Sequence, residues 1–110
     1  MSIYRKEKLA ELYKRATTEF LQKNIFASDF VLSITNIDFS DKISRLRIYF
    51  SVWPDQKEKD VIKSLKSLKR ELRVEIGERV KTKFVPEIEF ILDESEKKRI
   101  HIEELLKKER

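Results

Sequence analysis

Residues 81–90 read KTKFVPEIEF, and this stretch decides how the elements around it are ordered. Pro86 lacks a backbone N–H and restricts the residue before it to extended conformations, so a helix cannot run through this point. The basic, helix-like run upstream therefore has to end here. Behind the proline, charged and apolar residues alternate, which predicts a short strand with Ile88, Phe90 and Leu92 turned toward the core.

Two more strands are predicted upstream, where the apolar period is again two. In residues 30–39, Phe30, Leu32 and Ile34 alternate with smaller or polar side chains. In residues 44–53 the inward positions are Leu46, Ile48, Phe50 and Val52. The polar connection at residues 38–42 is typical of a hairpin loop, so the two strands are predicted to pair antiparallel.

Helical periodicity dominates the rest of the chain. The segment from residue 3 to about 23 spaces its apolar residues three and four apart. These residues are Leu9, Leu12, Tyr13, Ala16 and Phe20. The final residues, 95–108, form a last amphipathic helix with Ile100, Ile102, Leu105 and Leu106 on its apolar side.

The longest helical pattern runs from about residue 55 to residue 80, with one apolar seam throughout. The seam comprises Val61, Leu65, Leu68, Leu72, Ile76 and Val80. Because about seven turns is long for one helix in a domain of this size, we predict a break, either at residues 64–67 or at Gly77. The predicted order is α-β-β-α-α-β plus a C-terminal helix. This is an α+β fold, with a three-stranded sheet and helices packed on one face, in a single domain over residues 1–110.

Charge is the strongest compositional feature. The chain has 25 basic and 20 acidic residues, a net charge of +5, and the whole excess falls between Lys57 and Lys83. A local excess of this kind indicates a surface for a polyanion, and its alternative is a solvated helix with many ion pairs. The candidate phosphate-binding residues are Lys63, Lys66, Lys69, Arg70, Arg73, Arg79, Lys81 and Lys83, with Arg45 and Arg47 added if the sheet has an open face.

The sequence gives little support to other functional classes. The chain has no cysteine, which excludes disulfides and thiolate metal sites and agrees with a cytoplasmic location. No apolar run reaches the roughly 20 residues that cross a bilayer, and the N-terminal region has no signal-peptide pattern. No membrane partner, cofactor or small-molecule substrate is therefore expected.

Several single residues could take part in catalysis, metal binding or base stacking, but each also has a simpler structural interpretation. His101 is the only histidine and is expected at the surface, with no partner for a metal or a catalytic triad. Glu87, Glu89 and Glu94 could supply paired carboxylates for a metal nuclease, but strand alternation places Glu87 and Glu89 on the wet face of the strand. Trp53 and Tyr49 could stack on bases, although packing is the commoner use of a tryptophan at a strand end.

The element order is similar to that of type II KH domains, and the C-terminal residues are more specific. The segments KFVPEIEFILDES and RIHIEELL resemble the C-terminal signature of ribosome-binding factor A. The matching residues are Val85, Pro86, Glu87, Ile88, Asp93, Ser95 and residues 102–106, with Glu103 in place of an aspartate. The resemblance extends from about Arg5 to Lys107.

This resemblance implies a non-catalytic assembly factor that acts on the small ribosomal subunit. Its implied partners are 16S rRNA and the free 30S subunit or its precursor, and its implied role is late maturation and rRNA processing, as a monomer. The alternatives are a KH-like protein acting on another RNA and a protein-interaction module docking an acidic partner. A phosphodiesterase is a more distant possibility.

One feature departs from the family. KH domains contact the nucleic-acid backbone through a Gly-x-x-Gly loop, which this family reduces to an Ala-x-Gly kink. The corresponding residues here are Leu68, Lys69 and Arg70, without alanine or glycine. Two outcomes are open: a kink built around Ser64 and Ser67, or a straighter helix. Contact with phosphate is then expected from side chains, chiefly Lys69, Arg70 and Arg73.

Overall fold

The computed structural model describes residues 3–25, 29–40, 43–81 and 84–108, and the side chains of all these except residues 3–5, 96–101 and 108. The elements are α1 (Ile3–Asn24), β1 (Val31–Phe39), β2 (Arg45–Trp53), α2 (Glu58–Val80), β3 (Glu87–Leu92) and α3 (Ser95–Lys108). A short 3-10 turn, Asp55–Lys57, leads into α2. The predicted α+β class and three strands are confirmed.

The sheet has the order β1-β2-β3, so β2 is the central strand. It pairs antiparallel with β1 and parallel with β3, with Leu46 beside Ile88 and Phe50 beside Leu92. The parallel pair is reached through α2, which makes β2-α2-β3 a crossover unit. Both β1 and β3 are edge strands, and β3 is the edge that lies beside α2.

Alternation along β2 produces the core. Its residues Leu46, Ile48, Phe50 and Val52 are between 0% and 5% exposed, because every second side chain points to the same face of the sheet. Two helices cover that face. They contribute Tyr13, Ala16, Thr17, Phe20 and Leu21 from α1, and Val61, Leu65, Leu72 and Ile76 from α2. In α1, Leu12 is 44% exposed and does not belong to the buried stripe.

The predicted pair of helices before β3 is wrong: α2 is one continuous helix of 23 residues. Ser64 and Ser67 do not break it, because the Ser67 hydroxyl donates to the Ser64 carbonyl oxygen at 2.7 Å and stays within the helical turn. Gly77 also lies inside α2. The helix ends at Lys81, whose left-handed backbone (φ 54°, ψ 48°) lets its N–H donate to the Gly77 carbonyl oxygen.

A change of phase in β1 was also not predicted. The register with β2 shifts between Ile34 and Asn36, which leaves Thr35 as the extra residue of a β-bulge. Leu32 and Ile34 pack against the core from even positions, whereas the buried residues after the bulge are Ile37 and Phe39. The bulge therefore keeps both ends of a nine-residue strand in contact with the helices.

The last helix differs from the other two, because its described apolar side chains remain in solvent. Ile102, Leu105 and Leu106 are between 47% and 58% exposed. The amphipathic helix predicted at residues 95–108 is therefore present, but α1 and α2 alone supply the helical layer of the core. No helix in the described ranges is long and apolar enough to cross a membrane.

Candidate nucleic-acid interface

The exposed side of α2 carries a row of cations. Because the apolar seam holds α2 on the sheet, positions three and four residues apart on the opposite side all face solvent. Lys63, Lys66, Arg70 and Arg73 lie at these positions and are exposed, and Lys69 is half-buried beside them. The row continues along the helix into the region where α2 meets the last strand.

A cleft of about 570 Å³ lies between α2 and β3. One wall is basic and comes from α2, with Lys69, Arg70 and Arg73. The other lining residues are Val74, Val85, Glu87 and Ile88. We call this the α2–β3 cleft. It combines three cations with an apolar surface, a composition suited to a ligand that has both phosphates and flat rings.

Arg73 is held in position at this cleft. Its Nη2 donates to the carbonyl oxygen of Val85 at 2.9 Å. Val85 precedes the strand, so its carbonyl has no partner in the sheet ladder and is available to an outside donor. A guanidinium has five N–H donors, which leaves Arg73 several for a ligand. A side chain already ordered in this way loses less conformational entropy on binding.

Gly77 allows the two walls to approach each other. A Cβ atom placed on Gly77 would lie 3.2 Å from Val85 Cγ2, tighter than an ordinary van der Waals contact. Pro86, the next residue after Val85, is fully buried. The segment KTKFVPEIEF therefore has its central residues packed against α2, which is what forms the cleft.

The other predicted phosphate-binding residues lie elsewhere. Arg79 forms an ion pair with Glu19 and so links α2 to α1. Arg45 and Arg47 are on the face of the sheet opposite the helices, where each has an acidic neighbour: Glu89 at 3.7 Å and Asp38 at 3.5 Å. Lys81 is exposed at the end of α2, and Lys83 lies outside the described residues.

The open face of the sheet also carries the aromatic candidates. Tyr49 is half-buried there, beside Asn36 and Ile91 in register. Trp53 is 72% exposed and pairs with Val31, which is 58% exposed. The interpretation of Trp53 as a packing residue is therefore wrong, because alternation along β2 turns Trp53 to the open face of the sheet, whereas its neighbour Val52 is buried under the helices.

Fluorescence can check the position of Trp53, since it is the only tryptophan in the chain. We expect the folded protein to emit like a water-exposed indole, and to shift little when urea unfolds it. Trp53→Ala should correspondingly change the free energy of unfolding by less than about 0.5 kcal/mol, as is usual at exposed positions. A strongly blue-shifted emission of the folded protein would contradict this placement.

The remaining candidates for catalysis do not assemble into a site. Glu87 pairs in register with Arg45, and Glu89 lies 3.7 Å from the Arg45 guanidinium, so both are on the open face of the sheet beside a cation. Glu94 is exposed in the connection to α3, and the side chain of His101 lies outside the described residues. In the described part of the chain no three acidic, histidine or cysteine side chains come together as metal ligands.

Asp93 connects three elements near the end of β3. Its Oδ1 accepts from the Ser95 hydroxyl at 2.6 Å and the Ser95 N–H at 3.0 Å, at the start of α3. Its Oδ2 accepts from the Thr35 hydroxyl at 2.6 Å, at the bulge of β1. These hydrogen bonds lower the pKa of Asp93 to about 2 from its ordinary value of 3.8. The hydrogen bond from the Ser95 hydroxyl makes the largest contribution.

This lowered pKa predicts a defined dependence of stability on pH. A carboxylate whose pKa is lower in the folded state stabilises that state above its unfolded pKa, and the stabilisation is lost as pH falls through the folded pKa. We expect Asp93→Asn to be less stable than the wild type at neutral pH. In urea titrations the difference should shrink between about pH 4 and pH 2, whereas a difference independent of pH would exclude the ionised carboxylate as its source.

Comparison with known proteins identifies the family. The family model for ribosome-binding factor A matches residues 5–106. The ribosome-binding factor A of Natranaerobius thermophilus is 33% identical over 109 residues, covering 97% of this chain and 83% of that protein. That of Halothermothrix orenii is 32% identical over 110 residues, covering 98% of this chain and 90% of that protein.

Solved structures agree on the fold. The crystal structure of ribosome-binding factor A from Thermus thermophilus has a TM-score of 0.69 and 24% identity, covering 79% of this chain and 93% of that one. Thermus thermophilus coordinates fitted into a cryo-electron microscopy map of a 30S complex also have a TM-score of 0.69, with 23% identity and the same coverage. The predicted KH-like fold is thus confirmed, and because the match spans nearly all of its length, the chain belongs to the ribosome-binding factor A family.

Proposed function

We propose that this protein binds the small ribosomal subunit through 16S rRNA, with the basic wall of the α2–β3 cleft as its principal contact. The observation that carries the proposal is the grouping of Lys69, Arg70 and Arg73 at one cleft, in a member of a family named for ribosome binding. The Thermus thermophilus relative whose coordinates were fitted into a 30S complex supports the same partner.

The proposed mode of RNA binding rests on the positive charges of the basic wall and on a side chain that is already ordered before RNA binds. Lys69, Arg70 and Arg73 neutralise phosphates and release counterions, which makes binding strong at low salt and steeply weaker at high salt. Arg73 presents a guanidinium already fixed by Val85, and its planar donors match phosphate oxygens. Lys63 and Lys66 extend the same row along α2 and would follow the backbone further.

Binding, with no chemical step, is the proposed mode of action. The only acidic residue lining the described cleft is Glu87, with no histidine beside it to share proton transfer. The protein would stabilise one conformation of the rRNA in a precursor particle during late maturation and processing, and then dissociate. We propose that it does so as a monomer, in the cytoplasm, without cofactor or small-molecule substrate.

Sedimentation of a cell lysate tests this function. We expect the protein to travel with free small subunits and their precursors, and not with translating ribosomes. The bound fraction should fall as salt rises, because the contacts are with phosphate. A protein that remains at the top of the gradient at low salt would contradict the proposal.

Naked RNA separates this proposal from docking to an acidic protein. Purified 16S rRNA should bind in a filter assay, with an affinity that falls linearly on logarithmic axes as salt increases. If the protein sediments with subunits but shows no salt-dependent binding to 16S rRNA, a ribosomal protein would be the partner.

A further inference from the structure

The open face of the sheet carries charge of the opposite sign to the chain as a whole. Strand alternation and register place six charged side chains on it. They are Arg45 and Arg47 on β2, Asp38 on β1, Glu87 and Glu89 on β3, and Asp93 directly after β3. Asp93 keeps the alternation of β3, because its N–H donates to the Phe50 carbonyl oxygen at 2.7 Å. Four carboxylates thus accompany two guanidinium groups, in a chain whose net charge is +5.

The two arginines do not neutralise this face. The Arg47 guanidinium lies 3.5 Å from Asp38, and the Arg45 guanidinium lies 3.7 Å from Glu89. These two contacts balance two of the carboxylates, so Glu87 and Asp93 remain as excess negative charge. The open face therefore repels phosphates and attracts cations, whereas the exposed side of α2 does the reverse.

Two aromatic side chains lie on the same face. Tyr49 is near its centre, and the exposed Trp53 is four residues further along β2, about 13 Å away at roughly 3.3 Å per residue. Between them Ser51 pairs in register with Ser33, and both side chains are short. Aromatic rings attract ammonium and guanidinium groups. The carboxylates and the rings together suit a ligand that carries several cations.

An extended polypeptide matches this surface, because it presents every second side chain to one side with the same spacing as β2. We propose that the open face of the sheet binds a basic, extended segment of a protein partner, with Asp38 and Glu89 attracting its cations and Trp53 packing against one of them. The inference is independent of the proposed RNA contact, because the α2–β3 cleft lies on the side of the helices. It gives the protein two docking surfaces of opposite charge.

A nine-residue peptide that alternates lysine with threonine has the length of β2 and provides the probe. Trp53 is the only tryptophan, so its emission reports binding at this face directly. At low salt the lysine peptide should change that emission in a saturable way, and a peptide alternating glutamate with threonine should leave it unchanged. Asp38→Asn combined with Glu89→Gln should weaken binding of the lysine peptide by about fivefold or more, because two attracting charges are lost.

The matched control removes the same charge from another surface. Glu71 and Glu78 are exposed on α2, and Glu71→Gln combined with Glu78→Gln should keep the wild-type affinity for the lysine peptide. Equal losses in the two double variants would mean that the peptide responds to net charge alone, which would overturn the inference. An emission of Trp53 that does not respond to the lysine peptide would overturn it as well.

The other possible occupants of this face give different results. A saturable change of Trp53 emission with oligo(U) would make the face a nucleic-acid surface, and a change with protein concentration alone would mean that a second copy covers it. Either result would overturn the inference. The variant with alanine at Lys69, Arg70 and Arg73 should lose RNA binding and keep the lysine peptide, so the proposed function and this inference can fail separately.

Discussion

Replacing Lys69, Arg70 and Arg73 together with alanine is expected to weaken binding to 16S rRNA by about 100-fold or more at low salt. Hydrogen bonds between charged groups contribute roughly 1.5–3 kcal/mol each, and even about 1 kcal/mol from each of three contacts gives this factor. The slope of log affinity against log salt should decrease by about 2, because three phosphate contacts are lost from the interface. A filter assay across a salt series measures both quantities.

The matched control removes the same charge from another surface. Lys14, Arg15 and Lys23 are exposed on α1 and do not line the α2–β3 cleft. Their triple alanine variant has the same net charge as the cleft variant, so long-range attraction to RNA falls by a similar amount in both. If the two variants lose affinity equally, the interaction depends on net charge and the cleft has no special part in it.

Folding of the cleft variant has to be checked separately, since Arg73 also hydrogen-bonds Val85. Losing that bond should cost about 1 kcal/mol of stability, too little to unfold the domain. The double variant of Lys69 and Arg70 keeps the bond and should still bind at least about tenfold more weakly. A wild-type affinity in this double variant would place the RNA elsewhere.

The fold was predictable wherever a period of two or of about 3.6 was uninterrupted. β2 keeps its alternation from Leu46 to Val52, and its strand, faces and pairing with β1 were predicted correctly. The bulge at Thr35 was missed because it shifts the buried positions by one. The three-residue spacing between Ile34 and Ile37 was the available signal, since it is incompatible with strict alternation.

The predicted break in α2 shows a different limit. Periodicity alone indicates one helix through residue 80, and the break was inferred from the length of that pattern. Ser64 and Ser67 are poor helix formers, but the Ser67 hydroxyl is satisfied within the turn. The packing of Leu65, Leu72 and Ile76 along one side of α2 then favours a single continuous helix.

The candidate site was predicted only in part, because one wall depends on tertiary structure. Spacing along α2 was enough to place Lys69, Arg70 and Arg73 on one exposed side. The second wall, with Val85 and Ile88, requires β3 to lie beside α2 at the sheet edge, which the spacing of the residues does not show. The exposure of Trp53 likewise depends on which face of the sheet the helices cover.

Phe50→Ala is expected to cause the largest loss of stability among single substitutions of the sheet. Phe50 is 1% exposed and lies on the central strand, between Ile34 on β1 and Leu92 on β3. Truncating a buried phenylalanine costs about 3–5 kcal/mol, since apolar burial is lost and a cavity remains. Small domains have roughly 5–15 kcal/mol of stability in total, so the urea midpoint should fall by about a fifth or more.

Phe90→Ala is the matched comparison, because the two rings contact each other and differ in burial. Their centroids are 6.3 Å apart and the rings meet edge to face at 82°. Phe90 is on the edge strand and is only half-buried, so its truncation should cost about 2 kcal/mol, less than that of Phe50. The double variant should lose about 0.5–1.5 kcal/mol less than the sum of the single variants, the value of an aromatic pair. Equal losses for Phe50 and Phe90 would instead mean that β3 is as central to the core as β2, which contradicts the strand order β1-β2-β3.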